Sequence, residues 1–292
     1  MNVPVEVSYF ATPPSIPATH AWYADRQIRT IAPTTAHAVT VPCAVDGWAM
    51  LSKAHGRLEL GTLLEPAIGL AEEGWAVAPR VAADWANGVP KLSLHPGARR
   101  HLLVDGRAPM TGDVMRSPAL ARTLRAIAKD GRDAFYQGEI AEDMVATLRG
   151  AGGLHTLADF AAQRATWVEP IFARYGDLDV YELPPSNQGI VALIMLKMLA
   201  RLGRLGDDPM SVQRYHVLME AARLAYGMRD AFVADPDMTD VPVAHMLDDG
   251  TIDALVQRID PARRTPDLGP LPKPAGSDTV YLTVVDSDGL AV

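Results

Sequence analysis

Prolines near the C-terminus divide this sequence into a long helix-rich part and a short terminal strand. They are Pro261, Pro266, Pro270, Pro272 and Pro274. Proline fixes φ and lacks a backbone N–H, so this spacing excludes both a continuous helix and an interior strand. The sequence therefore predicts an extended, exposed linker over 261–278, which joins a helical region over 1–260 to a terminal segment over 279–292.

The terminal segment, AGSDTVYLTVVDSDGLAV, has the alternation of a strand followed by a tight turn. The alternation places Val280, Leu282 and Val284 on one face and Thr279, Tyr281, Thr283 and Val285 on the other. A solvent-facing threonine in a half-buried strand is one interpretation of Thr279. A nucleophile is the other, because cleavage before Thr279 would free an α-amine of pKa ~8 that could take the proton from the hydroxyl.

The composition favours a soluble globular protein with a sizeable core. The chain has 292 residues, 48% of them hydrophobic, and a formal charge of −8 without a basic block. This balance argues against nucleic acid or an anionic membrane as the main partner. The single cysteine, Cys43, cannot form an internal disulfide and is expected to be a small buried residue. With no signal-peptide pattern at the N-terminus, and only a short apolar run at IVALIMLKMLA, we expect a cytoplasmic location.

Helical periodicity and capping residues predict most of the structure before the linker. Helices are expected over 44–56, 62–74, 78–87, 117–131, 139–153 and 190–202, with a short turn of helix at TLADF. A short strand is predicted over 37–42, and VEPIFARYGDLDVYELP predicts two strands joined by a turn. In the helix after 211, a shared apolar face is predicted from Val212, Tyr215, Leu218, Met219, Ala222 and Tyr226.

The usual catalytic and metal-binding motifs are mostly absent from this sequence. The chain has no G-x-S-x-G elbow, no Walker loop, no G-x-G-x-x-G and no H-E-x-x-H. His216 and Glu220 lie four residues apart and could share a metal, but without a third ligand they are better explained as helix surface. ADPDMTD lacks the glycine and glutamate of an EF-hand loop and predicts an Asx-capped turn.

Seven stretches of the sequence resemble the gamma-glutamyltranspeptidase family, in the order in which that family has them. They are VTVPCAVDGW, LEPAIGLAEEGWAV, DAFYQGEIA, GGLHTLADFAAQRATWVEPI, YELPPSNQGI, EAARLAYGMRDAFVADPD and DTVYLTVVDSDGLAV. Together they extend over roughly 35–292. The chain is identified by them as a member of this family of N-terminal-nucleophile hydrolases.

The resemblance implies an α+β fold, with a four-layer αββα sandwich of which this chain supplies mostly the helical large-subunit portion. It also implies an inactive precursor that cuts itself between Asp278 and Thr279. Thr279 would then attack a γ-glutamyl amide such as glutathione, and water or an amino acid would resolve the acyl-enzyme. The resemblance implies no metal and no organic cofactor. PPSNQG matches well, but a tight turn that caps a buried helix explains it, and no catalytic role is assigned to it.

Departures from the family pattern leave two alternatives open. No arginine lies near Thr12 and Pro13, where the family has one that pairs with the substrate α-carboxylate, and Leu290 replaces the usual asparagine. The family continues beyond Thr279 for a whole small subunit, so the chain is expected to be truncated at both ends and to need that missing portion. One alternative is therefore an inactive remnant or partner-dependent scaffold. The other is an acylase acting on amides that are not γ-glutamyl.

Overall fold

The computed structural model describes residues 6–8 and 19–265, except 204 and 238. The chain divides into two compact units, one over Val7–Trp167 and one from Val168 onward, and Glu6 groups with the second. We call Val7–Trp167 the N-terminal unit and the part from Val168 the C-terminal unit. Within the described ranges, helices predominate in both units and three short pairs of strands accompany them, as expected for an α+β fold.

The N-terminal unit is built from short helices and very short strands. After β1 (Glu6–Ser8), its elements are α1 (His20–Asp25), a 3₁₀ turn (Ala36–Ala38), α2 (Ala44–His55), α3 (Leu60–Glu73), β2 (Trp75–Ala76), α4 (Pro79–Leu92), α5 (Pro96–Leu102), β3 (Val114–Met115), α6 (Pro118–Asp130), α7 (Asp133–Tyr136), α8 (Glu139–Gly150) and α9 (Leu157–Ala162), with β4 (Thr166–Val168) at its end. Strands β2 and β3 pair antiparallel.

Local capping signals explain the helix ends that the sequence predicts. Helix α2 ends at Gly56, and α3 ends at Gly74, whose φ of 97° suits glycine. Helix α9 begins with a capping box in which Thr156 and Asp159 satisfy each other's backbone N–H groups. The predicted strand over 37–42 is wrong: a 3₁₀ turn occupies its start, and no strand forms there.

The core of the N-terminal unit lies mainly between α3 and α6. Its buried residues are Val41, Val45, Leu64, Ile68, Leu124, Ile127, Tyr136, Ala141, Val145 and Phe160. On the outer side of these two helices, Arg125 donates to both carboxylate oxygens of Glu72. The helices are therefore joined by apolar packing inside and by an exposed ion pair outside.

The C-terminal unit combines a β-hairpin with a group of helices. Its elements are β5 (Ile171–Tyr175), β6 (Leu178–Glu182), α10 (Ile190–Leu202), α11 (Val212–Phe232), α12 (Val243–Met246) and α13 (Asp249–Val256). The hairpin register pairs Ile171 with Glu182 and Tyr175 with Leu178, which confirms the predicted two strands and turn. Helix α10 is the central element, and Ile190, Leu193, Ile194 and Met198 on it are fully buried.

The apolar face predicted for α11 is not the buried face of that helix. Val212 is 85% exposed and Met219 is 65% exposed, while Tyr215 and Tyr226 are also exposed. The buried face instead carries Val217, Ala221, Leu224, Ala225 and the carboxylate of Glu220. Apolar residues recur at helical spacing on two faces of this helix, and the face that packs against α10 is the one with small side chains. Among the described residues, no helix is long and apolar enough to cross a membrane.

Candidate functional site

The two predicted processing residues, Asp278 and Thr279, lie outside the described residues. Their roles therefore stay predictions. The segment that leads to them can be followed as far as Thr265, the last described residue before them. The first four residues of the predicted linker, 261–264, are exposed as expected, but Thr265 is buried.

Thr265 is held by its backbone and its side chain. Its backbone N–H donates to Glu220 Oε2 over 2.8 Å. Its hydroxyl donates to the carbonyl oxygen of Arg258 over 3.0 Å. The carbonyl oxygen of Thr265 lies 3.4 Å from the guanidinium of Arg223. The chain is thus fixed at the fifth residue of the predicted linker to the processing position.

Helix α11 supplies both charged residues of this anchor. Glu220 and Arg223 are three positions apart and therefore lie on the same side of the helix. Arg223 Nη1 donates to Glu220 Oε1 over 2.5 Å, and the Glu220 side chain is only 4% exposed. We call Glu220, Arg223 and Thr265 the linker anchor. A buried carboxylate is tolerated here because a guanidinium and a backbone N–H both donate to it.

Burial and hydrogen bonding act in opposite directions on Glu220. Burial alone would raise the pKa of this carboxyl, but the hydrogen bonds from Thr265 and Arg223 outweigh it and bring the pKa below its ordinary value. Glu220 is therefore a carboxylate near neutral pH. This state suits an acceptor that holds two donors and does not suit a general acid.

His216, one turn earlier on α11, contacts the same turn of chain. Its Nε2 lies 2.8 Å from the carbonyl oxygen of Asp260. His216 and Glu220 therefore hold the segment 258–265 at two points, each with its own partner. The prediction that Glu220 lies on the helix surface is wrong, because contacts distant in sequence bury it. Within the part of the chain that the structure describes, no group of three His, Cys, Asp or Glu residues could hold a metal ion.

The PPSNQG stretch forms the turn that begins α10, as predicted. Asn187 Oδ1 accepts from the backbone N–H of Gly189 over 3.0 Å. Gln188 Oε1 accepts from Arg229 on α11 over 2.8 Å. A side chain at Gly189 would collide with Glu182 of the hairpin, so the close approach requires glycine here. The predicted Asx turn in ADPDMTD is also present, since the Asp237 N–H donates to Asp235 Oδ1 over 2.9 Å.

A second buried carboxylate lies in the N-terminal unit, and the sequence analysis did not predict it. Asp46 accepts from Arg132 Nε and from the backbone N–H of Ala165, the latter over 2.5 Å. The Asp46 N–H donates to the Tyr136 hydroxyl over 3.2 Å, and Arg132 also donates to the carbonyl oxygen of Gln163 over 2.8 Å. These bonds join α2, α7 and the chain after α9, so the cluster is structural.

Titratable groups beside Asp46 are held in their neutral forms. Burial raises the pKa of Tyr136 to about 12, so its hydroxyl keeps the proton that makes it a neutral partner. Burial likewise raises the pKa of the Cys43 thiol, and Cys43 is buried as predicted. A thiol in this state is a weak nucleophile. The described residues near Asp46 thus form a support for the fold.

Comparison with known proteins gives a consistent result. The chain is 34% identical over 259 residues to the glutathione hydrolase-like YwrD proenzyme of Bacillus subtilis, covering 87% of this chain and 48% of that protein. It is 35% identical over 297 residues to the oxamate amidohydrolase proenzyme of Klebsiella pneumoniae, covering 99% of this chain and 54% of that protein. The chain thus spans about half the length of these curated relatives.

A solved structure is also similar to this chain in fold. The cephalosporin acylase of Bacillus halodurans superposes with a TM-score of 0.79 at 32% identity, covering 88% of this chain and 48% of that one. Residues 14–292 match the sequence profile of the family described as Gamma-glutamyltranspeptidase. This match includes both units and the predicted processing position. The chain therefore belongs to the gamma-glutamyltranspeptidase family.

Proposed function

We propose that this chain is the large-subunit part of an amide hydrolase and acyltransferase that cuts itself before Thr279. The family match carries the proposal, because it runs through residues 14–292 without stopping short of Asp278 and Thr279. Two similar proteins are named as proenzymes, which supports activation by cleavage. The fold proposed for the completed protein is a four-layer αββα sandwich.

One residue can supply both the nucleophile and the base of this reaction. Hydrolysis of the 278–279 peptide bond consumes one water, leaving a carboxylate on Asp278 and a free α-amine on Thr279. That amine, with a pKa of ~8, takes the proton from the Thr279 hydroxyl as the oxygen attacks a substrate carbonyl carbon. The substrate amine leaves with a proton, and water or an acceptor amine then releases the acyl group.

Self-cleavage is tested by intact-mass measurement on the protein at its full natural length. We expect two chains, with the second beginning at Thr279, and one uncut chain for Thr279→Ala. The matched control is Thr265→Ser, which retains the hydroxyl and the backbone N–H of the linker anchor. A single uncut chain in the unmutated protein would contradict the proposal and favour an inactive, partner-binding scaffold.

The substrate class has two candidates. Glutathione and other γ-glutamyl amides are the first, supported by the family and by the relative named as glutathione hydrolase-like. An amide without a γ-glutamyl group is the second, supported by the amidohydrolase relative that covers 99% of this chain and by the acylase structure. Hydrolysis of a γ-glutamyl anilide against an acyl anilide distinguishes them, and Thr279→Ala should abolish whichever activity is found.

A further inference from the structure

We propose that Glu220 is a positioning residue for the self-cleavage, because it fixes Thr265 at the start of the segment that carries the 278–279 bond. This inference rests on the proposed function. Both residues of that bond lie outside the described residues. Glu220 acts through the backbone of Thr265, which it binds over 2.8 Å.

The two carboxylate oxygens of Glu220 have separate tasks. Oε2 accepts from Thr265 and Oε1 accepts from Arg223, so one side chain joins α11 to the turn over 258–265. A glutamine at this position has a single acceptor oxygen. Its amide N–H₂ would face either the Thr265 N–H or the Arg223 guanidinium, and one of these donors would lose its partner. Glu220→Gln therefore weakens the anchor with almost no change of volume.

The size of the expected effect separates positioning from a mere change of tether length. Release of Thr265 would lengthen the stretch of chain between the last held residue and residue 278, because that residue would then be Asp260, which His216 contacts. Because effective concentration falls roughly as the −3/2 power of length, this alone slows cleavage about twofold. Misplacement of reacting groups by about 1 Å can cost on the order of 10²-fold. We therefore expect Glu220→Gln to slow self-cleavage by about tenfold or more.

Trypsin provides a readout that does not depend on self-cleavage. Arg264 is exposed, but the peptide bond after it leads into Thr265, whose N–H is held by Glu220. A protease needs this segment to detach before it can bind the bond in extended form. In the uncut Thr279→Ala background, Glu220→Gln should speed trypsin cleavage after Arg264.

The experiment compares cleavage rate, trypsin sensitivity and urea stability for three forms of the full-length protein. They are the unmutated protein, Glu220→Gln and Ile252→Val. Ile252 is fully buried in the same unit, so its change costs about 0.5–1.5 kcal/mol of stability without removing any contact of the linker anchor.

Each outcome bears on a different claim. Slowing of more than threefold in Glu220→Gln, together with faster trypsin cleavage and an unaffected Ile252→Val, supports the inference. Slowing of threefold or less overturns it, and so does equal slowing in Ile252→Val at matched stability. If the unmutated protein does not cut before Thr279, the proposed function fails and the positioning role fails with it, whereas normal cutting in every form overturns the positioning role alone.

Discussion

The ion pair between Asp46 and Arg132 gives the sharpest prediction about stability. Their side chains are 8% and 20% exposed, and the pair lies among α2, α7 and the chain after α9. The change Asp46→Asn keeps the shape of the side chain and removes its charge. The asparagine has one acceptor oxygen for two donors, Arg132 Nε and the N–H of Ala165, so one buried donor loses its partner.

The expected loss of stability depends on the hydrogen bonds that Arg132 keeps after the change. Removing one partner of a buried ion pair costs about 3–5 kcal/mol. Arg132 is one-fifth exposed and still donates to the carbonyl oxygen of Gln163 and to Asp133, so the lower limit applies. A loss of about 3 kcal/mol corresponds to roughly a hundredfold change in the folding equilibrium. The exposed pair Arg80–Asp84 is the control, and Asp84→Asn should cost no more than about 0.5 kcal/mol.

The assay is urea unfolding of the purified protein, followed by tryptophan fluorescence. Arg132→Lys is a second, milder variant, because a single ammonium cannot reach both Asp46 and the Gln163 carbonyl as the guanidinium does. We expect the free energy of unfolding to fall in the order Asp84→Asn, Arg132→Lys, Asp46→Asn. If Asp46→Asn and Asp84→Asn differ by less than about 0.5 kcal/mol, the Asp46 cluster does not stabilise the fold as argued.

Three further predictions concern titratable groups. The pKa of Glu220 is lowered in the fold, so the stability that its charge contributes is present above the ordinary pKa and is lost as the pH falls through the folded-state value. The difference in urea stability between the unmutated protein and Glu220→Gln should therefore shrink below pH ~4. A larger difference at that pH would count against the anchor. The pKa of Tyr136 is raised to about 12, so stability should decline from pH ~10 as the unfolded form releases this proton first, and Tyr136→Phe should remove one group from the high-pH absorbance titration. Cys43 should react with an aromatic disulfide reagent at neutral pH only after denaturation, and rapid reaction of the folded protein would show an accessible thiol.

Helices such as α2, α3 and α9, and the hairpin, could be predicted because their signals are local. Gly56 and Gly74 end α2 and α3 where the sequence indicates, and Thr156 caps α9 through residues only three positions away. The continuous apolar character of α10 indicates burial on most sides, and the structure confirms it. In each case the information lies within one element.

The buried face of α11 could not be predicted, because periodicity does not choose between two faces of similar spacing. Large apolar side chains such as Met219 indicated one face, while packing against α10 buries the face with Ala221 and Ala225. The choice depends on how closely two helices approach, which small residues permit. A helix taken alone carries no signal for that distance.

The buried charges were missed for a related reason. Asp46 meets Arg132, 86 residues later, and Glu220 meets Thr265, 45 residues later. A single carboxylate on a helix is typical of a solvent-exposed face, and only its distant partners make burial favourable. Resemblance to a family provides register along the chain, which is how Thr279 is predicted, but it does not provide these pairings.

Self-cleavage and substrate turnover depend on different recognition, and this separates the two main proposals. In our proposal the bond before Thr279 is part of the chain itself, so its cleavage would need positioning by residues such as Glu220 and no binding pocket for a free amide. Turnover also needs side chains that select the acyl group. Normal self-cleavage without hydrolysis of the γ-glutamyl anilide would therefore support Thr279 as the nucleophile and the role of the linker anchor. It would also favour amides without a γ-glutamyl group as the substrate class.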